Sequence, residues 1–225
     1  MKKLAAEVVG TFALVFAGTG AITINEVSGG TVTHVGIALT FGLVVLAMIY
    51  AVGNVSGAHL NPAVTLGFFV ARRLEVRWVL PYIASQCAGA MLASVFLRLL
   101  FPASATLGAT FPAGSALQSF ALELALTFLL MFVILCVSTG PKERGISAGI
   151  AVGAVIALEA LFAGPISGAS MNPARSFAPA LVAFRFESLW VYLLAPTIGA
   201  ILAVFACGCV QESGCCGAVP KEASA

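Results

Sequence analysis

No Asp, Glu, Lys or Arg occurs between Glu26 and Arg72. Similar charge-free stretches run over 8–25, 78–97, 99–122, 124–141, 146–158 and 189–211. A helix that crosses a bilayer takes about 20 apolar residues, so the chain has material for about six spans, read here at 4–24, 34–54, 78–100, 117–139, 146–164 and 188–210. The composition agrees: 60% of the 225 residues are hydrophobic and 9% are charged. Soluble domains carry about 25% charged residues, and so little charge does not cover a water-exposed surface. A net charge of +2 leaves no basic patch for nucleic acid, and the high apolar content excludes intrinsic disorder. The first span follows only Met1, Lys2 and Lys3, with no small-residue cleavage site, and reads as a retained anchor.

Basic residues orient the spans. With the N-terminus inside, Lys2, Lys3, Arg72, Arg73, Arg77, Lys142, Arg144 and Lys221 are cytoplasmic, against Arg98 and Arg185 near the outer ends. Both termini are therefore expected in the cytoplasm, with the chain in the cell membrane.

A repeat divides the chain. The nonapeptide Ser56 to Val64 (SGAHLNPAV) recurs as Ser167 to Arg175 (SGASMNPAR), 111 residues later and identical at six of nine positions. Glu7 and Glu123 precede their respective Asn by 54 and 49 residues, so the similarity extends over both halves, about 1–100 and 117–206. Three spans per half make the second half enter the membrane from the opposite side, an inverted repeat.

Each motif reads as a helix start, with Asn61 or Asn172 as N-cap and Pro62 or Pro173 at the first helical position. The helices expected at 61–72 and 172–184 are too short to cross, at roughly 18–20 Å. The fold class is thus an all-α membrane protein of six transmembrane helices plus two re-entrant half-helices. The non-helical backbone before each motif survives at membrane depth only when buried in protein or facing a water-filled cavity. Two half-helices meeting tip to tip would place Asn61, Asn172 and two positive dipole ends at the centre. Carbonyls of Gly57, Ala58, His59 and Leu60, and of Gly168, Ala169, Ser170 and Met171, would form acceptors along the path. Such a path suits a single file of neutral hydrogen-bonding molecules and disfavours cations and a proton wire. Arg175, an intramembrane cation one turn inside its helix, marks a constriction. Glu7 and Glu123 are expected to accept loop N–H bonds and brace the half-helices.

The paired Asn61-Pro62-Ala63 and Asn172-Pro173-Ala174 triplets, each after Ser-Gly-Ala and the second followed by Arg175, resemble those of the major intrinsic proteins, the aquaporins and glyceroporins. The resemblance runs from Glu7 to Ala203. It implies an aquaporin-like bundle with one pore per subunit, a homotetramer, no cofactor and no enzymatic activity. It also implies a selectivity filter at Phe41, Ala160, Ala169 and Arg175. Strict water channels of the family carry His at the Ala160 position, so a methyl group there implies a wider constriction. The stretches around Phe41 to His59 and Leu161 to Met171 are similar to plant nodulin-26-like channels, which pass glycerol and uncharged metalloid hydroxides such as arsenous acid. Ser176 and Ala180 resemble those of water channels instead. Phe41 keeps an aromatic wall, which disfavours silicic acid, and the compact loops resemble those of prokaryotic members. A strict water channel is the alternative reading. A secondary transporter built on inverted repeats is the alternative class, but coupling needs an embedded ion site, and only Arg175 brings a charge to the path.

Several residues remain. His59 is placed at the cytoplasmic pore wall by the resemblance, and His34 is expected at the outer interface. Glu159, beside Ala160, is expected to orient the second loop or Arg175. Gly149 and Gly153 have GxxxG spacing suited to close helix packing. Cys87 and Cys136 fall inside spans as small buried hydrophobes. Cys207, Cys209, Cys215 and Cys216 form a cluster in an expected flexible cytoplasmic tail, 207–225, where thiols stay reduced. They are weak candidates for a soft metal or trivalent arsenic.

Overall fold

The computed structural model describes residues 1–138 and 147–210. Lys142, Arg144, Lys221, Cys215 and Cys216 lie outside the described residues. Among those described are eight helices and no strand: α1 Lys2–Val27, α2 Thr33–Ser56, α3 Pro62–Val70, α4 Val76–Leu100, α5 Ala116–Val137, α6 Ala148–Ser167, α7 Pro173–Ala183 and α8 Leu189–Val210. Six of them, all but α3 and α7, are long and apolar enough to cross a membrane.

The two halves repeat one packing scheme: α1 packs on α4 and α2, α5 packs on α8 and α6, and α2 against α6 joins the halves. Small residues set these crossings. A Cβ at Gly89 would lie 2.3 Å from the Val8 carbonyl, and one at Gly199 would lie 2.3 Å from the Leu124 carbonyl. The same backbone-to-helix contact therefore occurs once in each half. Between the halves, a Cβ at Gly42 would lie 2.5 Å from the Gly153 carbonyl and one at Gly153 would lie 2.7 Å from the Gly42 carbonyl. Gly149 faces Tyr50, so the GxxxG pair of α6 packs within the chain.

The half-helices are shorter than the sequence suggests. α3 has 9 residues and α7 has 11, because each closes in a left-handed residue that is not glycine, Arg72 (φ 59°) or Phe184 (φ 54°). Arg73 N–H donates to the Phe68 carbonyl and Arg185 N–H to that of Ala180, both at 2.8 Å. These six-to-one bonds end a helix at the αL residue. At the C-terminal side α8 runs to Val210, where the span 188–210 ends, so the first residues of the tail expected at 207–225 are helical. Cys207 and Cys209 belong to the last turn of α8, since the apolar run to Val210 continues the helix and Cys207 packs into the core beside Ala203 and Val204.

The loops before α3 and α7 have matching conformations. Gly57, Ala58 and Leu60 in the first and Gly168, Ala169 and Met171 in the second all have positive φ. For the non-glycine residues that conformation is strained, and buried carboxylates hold it. Glu7 Oε1 accepts from Ser56 Oγ (2.7 Å) and His59 N–H (3.0 Å), and its Oε2 accepts from Leu60 N–H (2.8 Å). Glu123 Oε1 accepts from Ser167 Oγ and Ser170 N–H, and its Oε2 from Met171 N–H, each at 2.8 Å. Both carboxylates are fully buried. Ser56 and Ser167 extend the brace by accepting the N–H of Ala58 and Ala169, both at 3.1 Å.

This packing sets the response to substitution. Gly89→Leu and Gly199→Leu would each drive a side chain into backbone, and overpacking of this kind costs about 1–3 kcal/mol or more. Thermal unfolding in detergent would show both midpoints falling, while Gly208→Leu, in open space, leaves the midpoint unchanged. Glu123→Ala would leave two loop N–H groups buried without an acceptor, at roughly 1–3 kcal/mol each. The same measurement would show Glu123→Gln, which keeps one acceptor oxygen, losing less than Glu123→Ala.

Candidate pore and its constriction

Asn61 and Asn172 cap the two half-helices from opposite sides. Asn61 Oδ1 accepts the Ala63 N–H at 2.8 Å, and Asn172 Oδ1 accepts those of Ala174 (3.0 Å) and Arg175 (3.3 Å). Their amide nitrogens cross between the halves. Asn61 Nδ2 donates to the Met171 carbonyl at 2.7 Å, and Asn172 Nδ2 donates to the Leu60 carbonyl at 2.9 Å. This reciprocal tie locks the helix tips together. It occupies one of the two acceptor sites of the Leu60 and Met171 carbonyls, and both residues still line the path. An amide nitrogen has two N–H groups, so each Asn keeps one donor beyond the tie.

Both Asn residues border an internal cavity of about 120 Å³, room for a short file of water molecules. Its wall takes polar atoms from the loops, with Gly57, Ala58, His59 and Leu60 on one side of the centre and Ala169, Ser170 and Met171 on the other. The lining also includes apolar Val45, Ile49, Leu130, Ile134, Val152 and Ile156. Phe41, Ala169 and Arg175 all line the cavity, and among the described residues Arg175 is the one charged side chain in this wall. Ala160 and Gly168 are not part of it. Ala160 is buried and belongs to the same hydrophobic cluster as Ala163 and Ala169, and Gly168 sits against Thr110, which a Cβ would approach to 3.1 Å.

Arg175 is buried and held by two contacts. Nη1 donates to the Gly108 carbonyl at 2.9 Å, and the guanidinium lies 5.2 Å above the Phe41 ring. Gly108 belongs to the 101–115 connection, which sequence reasoning left without a role. A Cβ at Gly108, where φ is +69°, would lie 2.8 Å from the Thr19 carbonyl. Only glycine brings that carbonyl to the arginine, and this glycine was the one signal available. Nearby, Thr110 Oγ1 donates to Ser176 Oγ (2.8 Å), which shares a 2.5 Å bond with Ser170 Oγ.

At the other end of the cavity His59 stacks on Phe68, with centroids 4.5 Å apart, and its Nδ1 lies 3.2 Å from Thr65 Oγ1. Gln86 Nε2 donates both to that hydroxyl (2.9 Å) and to Glu7 (2.8 Å). Gln86 is a support that sequence reasoning missed, since a lone amide within an apolar span carries no spacing signal.

Two expectations are corrected. Glu159 is buried with neither carboxyl oxygen partnered among the described residues, so it orients neither Arg175 nor the second loop by a hydrogen bond. Arg175 turns to Gly108 instead. Cys207 is disulfide-bonded and is not the reduced thiol that a cytoplasmic position implied. Cys87 and Cys209 are free thiols, Cys209 exposed. No group of three His, Cys, Asp or Glu among the described residues is placed to hold a metal.

This geometry agrees with known proteins. The family model described as "Major intrinsic protein" matches residues 1–207. The chain is 51% identical over 215 residues to aquaporin NIP1-4 of Oryza sativa subsp. japonica, covering 95% of this chain and 78% of that protein. It is 48% identical to the probable aquaporin NIP4-2 of Arabidopsis thaliana, covering 94% and 74%. Among solved structures, the aquaglyceroporin from Plasmodium falciparum superposes with a TM-score of 0.82 at 24% identity, covering 91% of this chain and 93% of that one. By sequence and by fold the chain belongs to the major intrinsic protein family.

Proposed function

We propose that this protein is a passive channel for water and small uncharged solutes, glycerol and metalloid hydroxides such as arsenous acid among them, and that it excludes ions and protons. The observation that carries the reading is a cavity bordered by the tips of both half-helices, with Arg175 as the one charge in its wall among the described residues. A molecule at the centre meets the free N–H groups of Asn61 and Asn172 and the positive ends of two helix dipoles. Water there accepts from both amides, so its own hydrogens point outward along the file, and a proton relay through the centre is interrupted. Cations meet the dipoles and Arg175. The loop carbonyls and Asn amides replace part of a neutral solute's hydration, and the apolar wall offers an ion no comparable replacement.

Phe41, Ala160, Ala169 and Arg175 form the selectivity filter in this reading. Arg175 and the Ala169 backbone supply the hydrogen-bonding side, and Phe41 supplies the aromatic side. The methyl group of Ala160, in place of an imidazole, leaves width for a carbon skeleton. Residues 1–206 act as one channel domain, assembled as a homotetramer in the cell membrane with both termini cytoplasmic. The basic edge supports that orientation: Lys3 Nζ lies 5.6 Å and the Arg77 guanidinium 5.9 Å from the Trp78 ring, an arrangement suited to the headgroup region.

Stopped-flow permeability of proteoliposomes tests the reading. The wild-type protein is expected to pass water, glycerol and arsenous acid. Ala160→His should lower glycerol flux about tenfold or more while water flux is retained, the discrimination that one added group gives in a fitted site. Water flux alone, indifferent to Ala160→His, overturns the wide-filter reading.

A further inference from the structure

Pro165 lies inside α6 and carries no N–H, so the Leu161 carbonyl one turn earlier has no helical donor at that position. His34, in the first turn of α2, takes the place of that donor. Its Nε2 lies 2.8 Å from the Leu161 oxygen, and because a carbonyl only accepts, Nε2 bears the proton. Gly164 makes the approach possible: a Cβ there would lie 2.9 Å from His34 Cε1. Proline removes the donor, glycine clears the space and histidine closes the bond.

The first half lacks the proline. The positions 111 residues earlier are Gly53 and Asn54, and Asn54 has the N–H that Pro165 lacks. The repeat therefore does not require the missing donor, which α6 has and α2 does not. Further inward the same two helices cross at Gly42 and Gly153. Phe41 adjoins Gly42 and Ala160 adjoins Leu161, so the two filter positions stand on the α2–α6 pair between its inner crossing and its outer tie.

We propose that His34 is a positioning residue which, by donating to the Leu161 carbonyl freed by Pro165, holds α6 against α2 and so sets the separation of Phe41 and Ala160. The inference rests on the filter assignment above. Without the tie the outer end of α6 is free to splay from α2, and the constriction widens.

Water and glycerol permeabilities of the full-length protein in proteoliposomes, measured for wild type, His34→Ala, Pro165→Ala and the double variant, test this. Loss of one such bond in His34→Ala should raise the glycerol-to-water ratio about two- to tenfold. His34→Gln, which keeps an N–H donor, should return the ratio toward wild type. Pro165→Ala gives the Leu161 carbonyl its own donor, so adding His34→Ala to it should change the ratio no further. The thermal midpoint should follow the same pattern, falling about 2–4 °C in His34→Ala and not between Pro165→Ala and the double variant. An unchanged ratio in His34→Ala, or an equal effect in the Pro165→Ala background, overturns the proposal. Wild-type protein that passes no glycerol overturns the filter assignment instead, and the thermal coupling then decides whether the joint exists.

Discussion

Backbone that is neither helix nor sheet persists at membrane depth only when its N–H groups have partners, and here two carboxylates provide them. Glu7 and Glu123 each accept two loop N–H groups and a serine hydroxyl. Those bonds hold Ala58, Leu60, Ala169 and Met171 at positive φ, which turns the chain so that α3 and α7 start at the centre. The amides of Asn61 and Asn172 then close the arrangement by reaching across to the opposite loop. The loop backbone and the two Asn amides of the candidate pore depend on these few bonds, because the loops have no ladder of their own.

The two halves share a scaffold but differ in the groups beside it. Where α4 brings Gln86 to support Glu7, the matching stretch of α8 carries Pro196. Arg175 has no counterpart in the first motif, where Val64 stands. Its guanidinium is held by the Gly108 carbonyl and the Phe41 ring, contributions of a connection and of another helix. The cavity is therefore pseudo-symmetric in its backbone and asymmetric in its chemistry, with the charge of Arg175 set over the Phe41 ring. A filter needs only one narrow place, so the repeat leaves the rest of the path free to vary.

Much of this is legible in the order of the amino acids. The spans, the inverted repeat, the caps at Asn61 and Asn172 and the braces at Glu7 and Glu123 follow from charge-free length, from a motif repeated and from the cost of a lone carboxylate in a bilayer. The ends of the half-helices are not legible in the same way, because Arg72 and Phe184 take the left-handed conformation without being glycine, and no residue type announces that. The role expected of Glu159 fails for another reason. Adjacency to Ala160 in sequence says which turn it occupies, not what its carboxyl meets, and what it meets among the described residues has no hydrogen bond to offer.

The sequence by itself determined the class of fold, the paired half-helices and the residues at their tips, because those depend on local capping, on apolar length and on a repeat, all properties of neighbours along the chain. Only the tertiary structure decided which carbonyl holds Arg175, which amide closes on which loop and which side chain replaces the donor missing at Pro165. These are contacts between residues such as Arg175 and Gly108, 67 positions apart, or His34 and Leu161, 127 apart. Their partners are chosen by how helices cross at Gly42, Gly89, Gly153 and Gly199, and that geometry exists only once the bundle has packed.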